Sequence, residues 1–66
     1  NSILFRGVHV SKGAVVKNSI ILQNVAIQEG AHIVNCILDK DVKVLEGKTL
    51  QGDPSSPYLA AKRSII

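Results

Sequence analysis

The 66-residue chain is long enough for one domain and carries a formal net charge of +3 from scattered basic residues. One Phe, one Tyr and no basic cluster argue against a nucleic-acid surface, and no apolar run approaches the roughly 20 residues of a membrane span. A single cysteine excludes an internal disulfide, and with no signal-peptide pattern the expected location is the cytoplasm.

Residues 1–17 (NSILFRGVHVSKGAVVK), 18–34 (NSIILQNVAIQEGAHIV) and 35–51 (NCILDKDVKVLEGKTLQ) match column by column, so the chain repeats every 17 residues. A fixed period of this kind is the mark of a stacked solenoid. One column holds Asn1, Asn18, Asn35 and Gly52, a second Gly7, Asn24 and Asp41, and a third Gly13, Gly30 and Gly47. Gly, Asn and Asp enter the left-handed backbone region at little cost, so each column predicts a corner. Corners recur after 6, 6 and 5 residues, which makes each lap three-sided.

A triplet follows every corner: Ser2-Ile3-Leu4, Val8-His9-Val10, Ala14-Val15-Val16, and so on to Val42-Lys43-Val44. The first member is small or β-branched, the third is always Leu, Ile or Val, and the middle one is mixed. Side chains alternate faces along a strand, so the first and third members point to the centre and the middle one points out. No window shows apolar residues at helical spacing. The predicted fold is all-β, a triangular parallel β-helix of about three coils.

The chain opens without Met and in phase with a corner, which reads as a piece of a longer polypeptide. Near the other end, Lys48 takes an inward column filled by Ala14 and Ala31 in the earlier laps. An unpaired charge is not buried there, so the interior is expected to meet water at the third coil. Continuing past Gly52 would turn Asp53 and Ser55 inward, and Pro54 and Pro57 lack ladder donors. The coils are therefore expected over residues 1–52. Residues 53–66, with Tyr58, Leu59, Ala60, Ala61, Ile65 and Ile66, are expected to run partly extended and to pack on the helix or on a partner.

The outward residues of one side, Ile3, Ile20 and Ile37, form an exterior ladder flanked by Phe5 and Leu22. A bare apolar stripe of this kind marks an interaction surface. The other two faces present His9, Ala26, Lys43 and Val15, His32, Thr49. Cys36 aligns with Ser2 and Ser19 in an inward small column and reads as a core residue. His9 and His32 lie 23 residues apart and so fall on different faces, and the chain does not supply the converging ligands of a metal site. Asp39, Lys40 and Asp41 form a charged corner. It is either a solvated turn or a lysine presented to an anionic ligand, which Lys62 and Arg63 would join if the tail folds back.

Runs such as Val10-Ser-Lys-Gly-Ala-Val-Val16 and Ile27-Gln-Glu-Gly-Ala-His-Ile33 resemble hexapeptide repeats, a resemblance that implies a left-handed β-helix. Within that group Gly13-Ala-Val-Val-Lys-Asn-Ser-Ile-Ile21, Ile27-Gln-Glu-Gly-Ala31 and Asn35-Cys-Ile-Leu-Asp-Lys-Asp41 are similar to the C-terminal domain of glucose-1-phosphate adenylyltransferase. Asn1-Ser-Ile-Leu-Phe-Arg-Gly-Val8 resembles the variant subunit encoded beside the main enzyme of bacterial glycogen synthesis. The resemblance implies a non-catalytic domain that supports assembly, as a homo-oligomer, and allosteric response, with Lys40 at the position of an effector-responsive lysine. ATP and Mg²⁺ would belong to a preceding catalytic domain of the parent, with no cofactor in this segment. A rival reading is a hexapeptide acyltransferase with His32 as its catalytic residue.

Overall fold

A computed structural model describes residues 2–66; the corner expected at Asn1 lies outside the described residues. The first lap contributes β1 (Ile3–Leu4), β2 (His9–Val10) and β3 (Val15–Lys17). The second contributes β4 (Ile20–Ile21), β5 (Ala26–Ile27) and β6 (His32–Val34), and the third β7 (Cys36–Leu38), β8 (Lys43–Val44) and β9 (Thr49–Gln51). A last strand, β10, spans Tyr58–Ala60. Among the described residues these strands form three sheets in the orders β1-β4-β7-β10, β2-β5-β8 and β3-β6-β9. All the strand pairs are parallel, and Ile3 lies beside Ile20, His9 beside Ala26 and Val15 beside His32. The chain is a three-sided parallel β-helix with the expected 17-residue lap.

The corners form where small or amide side chains make left-handed backbone cheap. Gly7, Gly13, Asn18, Asn24, Gly30, Asn35, Asp41 and Gly47 all have positive φ. The third corner column piles up along one edge: a Cβ added to Gly13 would lie 3.8 Å from the nitrogen of Gly30. At the second column the corner amide of each lap donates to the lap before it, Asn24 N–H to Arg6 O at 3.1 Å and Asp41 N–H to Gln23 O at 3.0 Å.

Gly52 corrects the corner assignment, since its φ is not left-handed. Glycine is required there by space: a Cβ would overlap the backbone oxygen of Asn35 and the backbone nitrogen of Tyr58. The chain leaves the prism at this point and returns to it.

That return corrects the expected boundary at residue 52. Tyr58, Leu59 and Ala60 pair with Cys36, Ile37 and Leu38, so the ladder resumes after a five-residue insertion, Asp53 to Pro57. Asp53 and Ser56 close the insertion by exchanging backbone hydrogen bonds of 3.1 and 2.9 Å. With the register shifted, Arg63 takes the place above Asp41, adopts the corner conformation (φ 66°) and donates its N–H to Lys40 O at 3.0 Å. Residues 64–66 then run beside β8, where Lys43 N–H donates to Ser64 O and Leu45 N–H to Ile66 O. The physical reason is that inward Ala60 and Ile66 still find the interior below them; Ala60 is buried and Ile66 packs on the core.

The interior follows the alternation of the triplets. Ile21, Val25, Ile27, Ala31, Ile33, Cys36, Leu38, Val42 and Val44 are buried, whereas the outward His32 and Lys43 are exposed. The first lap forms an open end, where inward Leu4 and Val10 are 50% and 37% exposed. Lys48 is exposed at the other end, where the interior meets water on the third sheet.

Candidate functional site

One exterior face carries an unbroken ladder of aliphatic side chains. The strand registers bring Ile3, Ile20 and Ile37 into one ladder, and β10 adds Leu59 above Ile37. Ile3, Ile20 and Leu59 are 57%, 36% and 67% exposed, and Phe5 beside them is 46% exposed. Ile37 and Leu22 are half-buried. Leu59 escaped the sequence reading because its place depends on the register after the insertion.

The insertion itself borders this face. Asn18, Ile20, Asn35, Ile37, Pro54 and Pro57 line a shallow cleft between the ladder and the loop. Asp53 fastens the loop, accepting hydrogen bonds from Ser55 N–H (3.1 Å) and Ser55 Oγ–H (2.8 Å). Those two bonds hold its carboxyl below the usual carboxylate range.

The second candidate is the basic corner between the first and second sheets. Lys40, Lys62 and Arg63 come to one edge because the Arg63–Lys40 backbone bond seats the tail on the corner below. Arg6 starts the same column two laps down, a member the sequence reading omitted although the 17-residue spacing places it there. Asp39 turns its carboxylate onto the Lys40 N–H at 2.7 Å, which closes the turn locally. Arg6, Lys40, Lys62 and Arg63 are all exposed.

Behind the apolar face runs a feature that the sequence reading missed in its chemistry. Ser2, Ser19 and Cys36 stack inward, and each side chain of the lap below receives the next amide: Ser19 N–H to Ser2 Oγ (3.3 Å), Cys36 N–H to Ser19 Oγ (3.1 Å). Ser19 Oγ–H and the Cys36 thiol donate in turn to the carbonyls of Lys17 (2.8 Å) and Val34 (3.2 Å). The repeated small polar residue directly after each corner Asn was the available signal. Burial pushes the Cys36 thiol up, against smaller opposing pulls from hydrogen bonds at Val34 and Gly52. A thiol so placed is a structural donor.

His9 and His32 lie on different sheets, paired with Ala26 and with Val15 and Thr49. Among the described residues no three His, Cys, Asp or Glu side chains converge as metal ligands.

A family model described as GlmU-like, C-terminal hexapeptide matches residues 1–61. No curated protein matches the chain, and no solved structure does.

Proposed function

Because the chain belongs to the GlmU-like, C-terminal hexapeptide family, we propose that it serves as the assembly and regulatory β-helix domain of a glucose-1-phosphate adenylyltransferase-like protein. The parent would transfer an adenylyl group from ATP to glucose 1-phosphate, with Mg²⁺, in glycogen synthesis. The particular parent rests on the resemblance of the runs at residues 13–21, 27–31 and 35–41.

The observation that carries the assembly role is the outward ladder of Ile3, Ile20, Ile37 and Leu59, which contains no charged side chain. Aliphatic groups on the outside of a β-helix gain from their own ladder neighbours, and the area they still expose is stabilised only by what covers it. Covering a fully exposed Ile contributes about 1.5–3 kcal/mol, and this face offers several partly exposed ones. The prism supplies rigidity, since every rung is bonded to the next. Its partner on this face is the catalytic domain or another subunit of the same assembly. Lys40, Lys62 and Arg63 give the regulatory role a chemistry, namely an anionic effector gripped at one corner.

Ile20→Lys in the protein carrying this domain tests the reading, with subunit mass from light scattering and coil content from circular dichroism. The expected result is loss of subunit association with the β-sheet spectrum unchanged, because the side chain points outward. An unchanged mass, with residue 20 open to solvent in every copy, would sink the assembly role.

A further inference from the structure

The last rung is held more loosely than the laps beneath it. In the register that sets Leu59 beside Ile37 and Ile65 beside Lys43, its inward places fall to Ala60, Ser64 and Ile66. The lap below fills the same places with Leu38, Val42 and Val44. Ala for Leu and Ser for Val both forfeit apolar burial. Arg63 turns the corner at φ 66°, a conformation that costs Arg more than the Gly7, Asn24 and Asp41 of the lower laps. The backbone bonds across this seam include Asp39 N–H to Ala60 O, Arg63 N–H to Lys40 O, Lys43 N–H to Ser64 O and Leu45 N–H to Ile66 O.

Charge opposes the same seam. The register places Lys62 directly above Lys40, one rung or about 4.8 Å away, with Arg63 next to it above Asp41. Like charges on facing positions work against pairing. Asp39 accepts the N–H of Lys40 in its own turn, at 2.7 Å, and Asp41 is exposed beneath Arg63. Three basic residues against these two acidic ones leave the corner positive.

From this we infer that the anion site of the corner is a lock on the last rung: a phosphate-class oxyanion, held between Lys40 of the coil and Lys62 and Arg63 of the tail, turns their repulsion into a bridge and keeps residues 58–66 docked. This rests on the anionic-effector reading of the corner and gives that reading its moving part. One ligand belongs to the coil and two ride on the tail, so only the docked tail completes the site. The anion then favours docking by its differential affinity for the two states. A tetrahedral oxyanion directs oxygens toward both rungs and accepts the guanidinium fork of Arg63. Docking also sets Leu59 at the end of the aliphatic ladder, so the bound anion completes the face used for assembly.

Hydrogen exchange on the whole chain tests the lock, with inorganic phosphate as the probe and chloride at matched ionic strength as the reference. At about ten times its dissociation constant, phosphate should slow the Asp39, Lys43 and Leu45 amides about tenfold. The amides of Gln28 and His32, bonded to Val44 and Lys48 within the coils, should not change. Lys62→Gln removes both the repulsion and a ligand. Its three seam amides should be at least as protected in chloride as the parent's, and phosphate should no longer slow them. Phosphate that binds in calorimetry yet leaves the seam amides unchanged would overturn the lock and spare the anion site. Equal slowing by chloride would overturn it too, since screening alone would then suffice. Absence of phosphate binding in calorimetry would remove the anion reading of the corner, and the lock with it.

Discussion

Gly47 and Gly52 show two separate reasons for a glycine. Gly47 has φ +72°, and a Cβ there meets nothing within 4 Å, so its constraint is the backbone angle alone. Gly52 has no left-handed angle but is walled in by the backbone of Asn35, Pro57 and Tyr58. Gly47→Asn should therefore be close to neutral, while Gly47→Val costs roughly 1–2 kcal/mol for an L-residue held in the left-handed region. Gly52→Ala and Gly52→Asn should both cost about 1–3 kcal/mol through overpacking against unyielding backbone. Urea denaturation of the four variants separates the cases, and a Gly52→Asn as stable as the parent would refute the steric account. Both residues fell in corner columns of the sequence, and only their surroundings tell them apart.

At the scale of the element, the last rung depends on the coils beneath it, and they do not depend on it. β10 and residues 64–66 contribute Ala60 and Ile66 inward, little apolar area beside the Ile, Leu and Val of the lower laps. Arg63 holds the corner in a conformation that Asn or Gly would adopt at lower cost. Truncation after Gly52 should thus leave the three coils folded. It should free the amides of Asp39, Lys43 and Leu45, whose acceptors are Ala60, Ser64 and Ile66, and leave those of His32 and Gln28 protected, since their acceptors are Lys48 and Val44. Hydrogen exchange reads this directly; global loss of protection would show that the rung is integral to the fold. The composition of the tail announced that it packs, and its prolines hid the resumption of the ladder. Pro54 and Pro57 lie in the loop outside the ladder, where a missing N–H costs nothing.

Across the whole molecule, each lap contacts only its neighbours, so stability should vary along the prism rather than around it. Val10 and Val44 share an inward column at different heights: Val10 is 37% exposed at the open end, and Val44 is fully buried between rungs. Val44→Ala should cost about 2 kcal/mol in lost transfer energy and cavity, and Val10→Ala less than about 1 kcal/mol. Equal shifts in urea midpoint would mean that the first lap is covered in solution. The two candidate surfaces differ in the same way. The Ile3, Ile20 and Ile37 ladder runs along the axis and repeats with the lap, so it was legible from spacing. The corner of Arg6, Lys40, Lys62 and Arg63 crosses the insertion, so only its first two members share the lap register.

The amino-acid order by itself determined the period, the three corners and the two faces of every triplet. Each of these is a local property, either tolerance of positive φ or alternation along a strand, and repetition made it readable. Tertiary structure alone decided where the chain re-enters the stack after Gly52. That choice is made by pairing with Cys36 to Leu38, twenty-two positions earlier instead of seventeen, and no nearby residue encodes a register set across a loop. The same long-range pairing raised two sheets by one rung and left β9, with Lys48 in its inward column, at the uncovered edge of the third.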